Sequence, residues 1–119
     1  MMKSRMLTIV ALLAGICLAA PAWAQQVTSE TLDGVVNLKR LETTVACSGA
    51  IKVSAVPEIK KMGFVTIINL RQPTEPGADL EAEAAAAKAA GLHYYSIPFN
   101  GRKPDPAVAD KFLDAITTK

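Results

Sequence analysis

The side chains able to do chemistry are few and fall on three stretches. Cys47 sits in Ala46-Cys47-Ser48-Gly49-Ala50, Arg71 ends the apolar run Phe64 to Leu70, and Arg102, Lys103 and Asp105 share a loop between Pro98 and Pro106. A thiol becomes a nucleophile where a cation or a helix N-terminus stabilises its thiolate. Cys47 has no His before it and no Arg six residues on, so its default reading is a small buried hydrophobe. Arg71 stands at the carboxyl end of a strand, the edge at which open α/β sheets bind ligands. Two readings of it stand: a cation that attracts an anionic substrate, or a partner of Glu75 or Asp79. Arg102 and Lys103 either steer a phosphate or solvate their loop. Asp105, directly before Pro106, reads as a helix N-cap. His93 is a single imidazole without a Cys or His partner nearby, which argues against metal ligation. Because no Gly-rich phosphate loop, Ser-His-Asp order or metal-ligand cluster is present, neither a cofactor nor a metal is expected.

The elements that must position these groups follow from periodicity and punctuation. Residues 25–32 are polar and read as a flexible, frayed N-terminus. Val35 to Glu42 and Thr44 to Cys47 are rich in β-branched residues and read as a strand pair turning at Glu42-Thr43. A short helix is expected from Ser54, its cap, to Met62, with Pro57 in its first turn and Gly63 at its end. The run FVTIINL reads as a strand buried on both faces and therefore central in a parallel or mixed sheet. Asp79 to Ala90 is Ala-dominated, acidic early and basic late, and stopped by Gly91; it reads as a helix. Leu92 to Ile97 reads as the next strand. A last helix opens with Asp105 and Pro106 and is expected to bury Val108, Phe112, Ala115 and Ile116 on one face. Right-handed β-α-β crossover makes the two later strands parallel, so the fold class is α/β.

The N-terminus is a separate matter. Lys3 and Arg5, the uncharged apolar run Met6 to Ala20 and Ala22-Trp23-Ala24 form an export signal over residues 1–24. The run of about 15 residues is short of the ~20 that span a bilayer. Cleavage after Ala24 removes two of the thirteen Lys and Arg residues and leaves eleven against eleven Asp and Glu. A neutral domain gives no electrostatic case for nucleic acid, and no stable membrane anchor remains. Cys17 leaves with the signal, so Cys47 has no intramolecular disulfide partner. The expected compartment is the periplasm or the medium.

GVVNLKRLETTVACSGA, a helix ending KKMGF, then VTIINLRQPTEPG and AAGLHYYSIPFNGRKPDPAVADKFLDAI resemble the N-terminal part of bacterial cysteine-dependent protein tyrosine and dual-specificity phosphatases. The stretch looks most like the phosphatase-like domain of beta-lactamase hydrolase-like proteins, over residues 33–119. The resemblance implies a partial three-layer cysteine-phosphatase fold: an N-terminal β-hairpin, then β-α-β-α. It also implies phosphomonoester hydrolysis through a cysteinyl-phosphate. An HCxxxxxR loop between a strand and a helix would hold the phosphate and supply the thiolate. An Asp on another loop would protonate the leaving oxygen. By that likeness Asp105 is the candidate general acid, and Arg71 and Arg102 are candidate substrate-binding residues. The substrate would be a phosphorylated protein or a small phosphoester.

No HCxxxxxR occurs in these 119 residues. The expectation is therefore an incomplete domain, inactive alone, whose open sheet edge invites self-association and weakens thermal cooperativity. Two alternatives stand beside it: a non-catalytic binding or scaffold protein of the same fold, and a sulfurtransferase-like role.

Overall fold

A computed structural model of the protein describes residues 26–118; the export-signal reading of residues 1–24 lies outside them. Its strands are β1 (Val27–Ser29), β2 (Lys39–Leu41), β3 (Val45–Cys47), β4 (Thr66–Asn69) and β5 (His93–Ser96). Its α-helices are α1 (Val56–Lys61), α2 (Leu80–Ala90) and α3 (Pro106–Thr117), and a 3₁₀ turn over Val53–Ala55 leads into α1. Among the described residues no helix is long and apolar enough to cross a membrane.

The first three strands form an antiparallel sheet in the order β1-β2-β3. The expected pair is present, with Lys39 opposite Cys47 and Leu41 opposite Val45, and its turn is closed by Glu42 at φ 52°. The stretch expected to fray contributes a third strand instead: Val27 pairs with Leu41 and Ser29 with Lys39. All three β1 residues are exposed, so backbone pairing rather than burial holds it. This is why its polar sequence carries no strand signal. Arg40 ties this sheet to the rest of the molecule. Its guanidinium pairs with Glu30 at 2.7 Å and lies 4.8 Å from the centre of the Phe64 ring.

β4 and β5 pair in parallel, with Thr66 opposite His93 and Asn69 opposite Ser96, and α2 crosses between them. The core cluster is Val56 and Ile59 of α1, Ile67 of β4, Ala87 of α2 and Leu92. Asp79 caps α2, its carboxylate accepting from Ala82 N–H at 3.1 Å. Gly91 closes the helix at φ 74°, a left-handed position that costs a residue with a Cβ about 1–2 kcal/mol. Gly63 ends α1 in the same region, at φ 93°.

Three expectations are corrected here. Ser54 does not cap α1; it lies within the 3₁₀ turn, and the cap residue is Ala55, without a side-chain bond. β4 is not buried on both faces: Ile67 and Asn69 are buried while Thr66 and Ile68 are half-exposed. It has one strand neighbour among the described residues, so it is an edge strand rather than the central strand that its apolar run anticipates. α3 is helical and capped as expected, but Ala115 is its only buried residue. Phe112 and Ile116 are exposed, and Val108 is half-buried. The N-terminal hairpin expected from the sequence is thus a three-stranded sheet, followed by the anticipated β-α-β-α order.

Ile67→Ala should cost about 2–5 kcal/mol of unfolding free energy, the range for truncating a buried aliphatic. Ile116→Ala should stay within about 0.5 kcal/mol, as for an exposed position. Urea unfolding of both variants checks this assignment of core and surface.

Candidate functional site

The carboxyl ends of β4 and β5 lie side by side because their pairing continues past the strands. Ile97 N–H donates to Asn69 C=O at 2.8 Å and Phe99 N–H to Leu70 C=O at 2.9 Å. Two loops leave this edge, Arg71 to Ala78 and Asn100 to Asp105. Gln72 Nε2, 3.5 Å from the Phe99 carbonyl, spans them.

The first loop is organised by Glu75. Its carboxylate accepts from Gln72 N–H at 2.8 Å and from Arg71 Nε at 3.1 Å. Those two bonds, the backbone one first, hold the Glu75 carboxyl below its ordinary value of 4.5. Arg71 Nη2 also donates to the Pro76 carbonyl at 2.7 Å. Of the two sequence readings of Arg71, the pairing with Glu75 is therefore present, while Nη1 has no partner among the described residues. Its side chain is 22% exposed, so the guanidinium is held in a fixed direction rather than swinging in solvent.

The second loop is turned by Asn100, whose Oδ1 accepts from Arg102 N–H at 3.0 Å and whose carbonyl accepts from Lys103 N–H at 3.1 Å. Arg102 is exposed. Asp105 caps α3, with Oδ1 accepting from Ala107 N–H at 3.0 Å. Asp105 also sits on the wall of an open groove of about 570 Å³ whose other walls include Leu70, Phe99, Pro104, Val108 and Phe112. The three candidates thus share one end of the molecule. Asp105 alone faces the groove; Arg71 turns toward Glu75 and Pro76, and Arg102 stands on the loop surface. Cys47, expected to be buried, is exposed on β3, as is Val45 on the same strand.

Behind this edge lies a polar cluster that the sequence reading did not identify. Asn69 is 7% exposed and Glu83 3% exposed. Asn69 Nδ2 donates to both Glu83 oxygens, at 3.1 and 3.2 Å, and to the Tyr94 hydroxyl at 3.1 Å. Its Oδ1 accepts from Arg71 N–H at 2.8 Å. Burial raises the Glu83 carboxyl above 4.5, against the lowering effects of the Asn69 bond, the Arg71 charge and the Tyr94 hydroxyl. Burial likewise raises Tyr94. The signal in the sequence was Asn69 itself, an amide inside an apolar run, where a buried polar group demands partners. Glu83 also reaches the wall of a second cavity, of about 490 Å³, which Val36, Ile51, Lys52 and Asp79 help to line. Among the described residues no group of three or more His, Cys, Asp or Glu is arranged to hold a metal ion.

A family model described as "Beta-lactamase hydrolase-like protein, phosphatase-like domain" matches residues 37–118. A solved structure from Shewanella putrefaciens CN-32, described as "Putative phosphatase (DUF442)", superposes with a TM-score of 0.63 at 23% identity. The match covers 70% of this chain and 52% of that one, so this chain spans about half the length of its structural relative. It shows a shared fold. No curated protein matches.

The raised Glu83 carboxyl has a signed consequence for stability. The folded state holds its proton more tightly than the unfolded chain does, so the burial penalty is absent well below pH 4.5. It grows as pH rises from there through the folded pKa. The stability of the wild type relative to Glu83→Gln should therefore be greatest in acid and decline across that window. Thermal melts of both proteins from pH 3 to pH 8 check it, and a gap independent of pH contradicts it.

Proposed function

The chain belongs to the family of the phosphatase-like domain of beta-lactamase hydrolase-like proteins, and from that premise we propose that it forms the acid-bearing part of a phosphomonoester-hydrolysing centre. The observation that carries this reading is the joined edge of β4 and β5. It brings the Arg71 loop, the Arg102 loop and the Asp105 cap to one end of the fold. On this reading Asp105 is the general acid for the leaving oxygen, and Arg71 and Arg102 draw the phosphate to the edge.

The geometry is compatible with both roles of Asp105. Oδ1 is taken by the α3 cap, and Oδ2 has no partner among the described residues. The groove beside it is walled by Leu70, Phe99, Val108 and Phe112, and a general acid must stand within reach of the leaving oxygen. The rigidly held Arg71 leaves Nη1 to meet an anion.

The nucleophile is not among these residues, since no HCxxxxxR is present and Cys47 lies on the separate N-terminal sheet. We therefore assign no turnover to these 119 residues alone; a thiolate loop beside β4 is needed to complete the centre. The export reading of residues 1–24 is part of the same proposal. On it the protein is exported to the periplasm or the medium, with a phosphorylated protein or a small phosphoester as substrate.

The test is p-nitrophenyl phosphate hydrolysis by the chain alone and by the chain extended after Lys119 with a strand, an HCxxxxxR loop and a helix. The first should show no turnover and the second should. Asp105→Asn in the extended protein should lower kcat by roughly 10²–10⁴-fold, the usual loss on removing a general acid. Turnover by the chain alone, or an extended enzyme indifferent to Asp105, would overturn the assignment.

A further inference from the structure

α3 is the helix that the fold holds least. Ala115 is its only buried residue and Val108 is half-buried, whereas the shorter α1 sends Val56 and Ile59 into the core. A helix of 12 residues is marginal in water unless one face is packed. α3 carries such a face: Ala109, Phe112, Leu113 and Ile116 recur at the i, i+3, i+4, i+7 spacing of an apolar stripe. Phe112, Leu113 and Ile116 are 38%, 54% and 55% exposed, so nothing among the described residues covers them. Helical periodicity turns Lys111 and Asp114 to the opposite side, and the stripe itself is uncharged.

The two ends of this stripe differ in shape. Toward the N-terminus, Ala109 and Phe112 wall the open groove of about 570 Å³, which Leu70 and Phe99 also line. Toward the C-terminus, Leu113 and Ile116 stand outside the groove as an exposed ridge. A groove and a ridge on one helix match a copy of themselves only when the second helix runs the other way. A two-fold axis across α3 imposes that antiparallel arrangement, in which the opposed helix dipoles attract. We propose that α3 is a dimerisation surface: a second copy of this chain lies antiparallel on it, and each copy seats Leu113 and Ile116 in the groove of the other.

Area and charge both suit a second copy. Phe and comparable side chains bury on the order of 150–250 Å² each, so Leu70, Phe99, Phe112, Leu113 and Ile116, exposed at 38–55%, offer on the order of 400–500 Å². A standard interface takes about 800 Å² from each partner, of which roughly 55–65% is apolar. The available surface is therefore the apolar share of one such interface. Residues 25–119 carry eleven Lys and Arg against eleven Asp and Glu, which sets no net repulsion between copies. The inference goes beyond the phosphoester reading and does not rest on it. Arg71 and Arg102 stand outside the groove, so the dimer covers neither, while a leaving group and a second copy use the groove beside Asp105 in turn.

The experiment is sedimentation velocity on the purified protein from roughly 1 to 200 µM, a range that brackets the weak end of affinities for interfaces of this size. The wild type should pass from monomer to dimer within or below that range. Leu113→Glu and Ile116→Glu, both at exposed positions, should each raise Kd at least about tenfold, because each buries a carboxylate without a partner. Val45→Glu, on the exposed surface of the N-terminal sheet, should leave Kd unchanged. Over the same concentrations the wild-type backbone amides from Ala109 to Ile116 should shift in ¹⁵N–¹H NMR, which decides the point if a glutamate variant fails to fold. A monomer at every concentration would overturn the proposal and leave the stripe to a different protein. A dimer indifferent to both α3 variants would equally overturn it, placing the contact elsewhere, as at the edge of β4. So would growth beyond two copies, which a closed two-fold contact forbids. The readout is mass, not turnover, so failure here leaves the phosphoester proposal standing, and loss of that proposal leaves the dimer testable.

Discussion

A carboxamide buried at the end of an otherwise apolar strand constrains the middle of this molecule. Leaving a buried amide unsatisfied costs about 1–3 kcal/mol, a large share of what a domain of this size has in hand. Asn69 therefore dictates its surroundings. Glu83 must lie on the face of α2 turned to the sheet, which it does one turn before buried Ala87. Tyr94 must stand diagonally across the parallel ladder, and the pairing of Ile67 with Tyr94 and Asn69 with Ser96 puts it there. The chain must also turn at Arg71 so that its N–H meets Oδ1. Helix position, strand register and loop exit are fixed together.

The candidate groups sit where this constraint delivers them. The Asp79 cap and Gly91 bound a helix long enough to return the chain in parallel beside β4. The backbone bonds past the strands then hold the two exit loops together. Glu75 and the Pro76 carbonyl take up part of Arg71, giving it a direction at the cost of some of its freedom to bind. The Asp105 carboxylate is oriented by its own helix. Arg71 and Asp105 are thus held by backbone or by a neighbour in the same loop, which is how a site on loops acquires rigidity, whereas Arg102 is exposed. The N-terminal sheet stands apart and meets this unit through Arg40, Phe64 and the packing of Leu32, Val35 and Ile51 on the core.

Much of this was legible in the residues because the signals were local. Asp79 and Gly91 bracket α2, Asp105-Pro106 opens α3, and the β-branched runs meet at Glu42. The family likeness and the α/β order were legible for the same reason. The misreadings concern what lies opposite an element, which a single sequence does not carry. β1 is held by backbone bonds to β2, with no hydrophobic pattern to announce it. FVTIINL reads as doubly buried and central, yet β4 has one strand neighbour among the described residues and a half-exposed second face. Phe112 and Ile116 have the spacing of a core face without a surface to cover. Asn69 was visible as an anomaly in its strand, but its partners lie 14 and 25 residues away, and only the register of the ladder joins them.

The central claim is that the joined edge of β4 and β5 receives a phosphate group. Titrating inorganic phosphate into the ¹⁵N-labelled protein while following every backbone amide tests it most directly. The account predicts saturable shifts confined to Arg71 and Gln72 and to Asn100 through Asp105. Saturable shifts centred instead on Lys52 and the second cavity, or no saturable shift at the β4 and β5 edge, would contradict it.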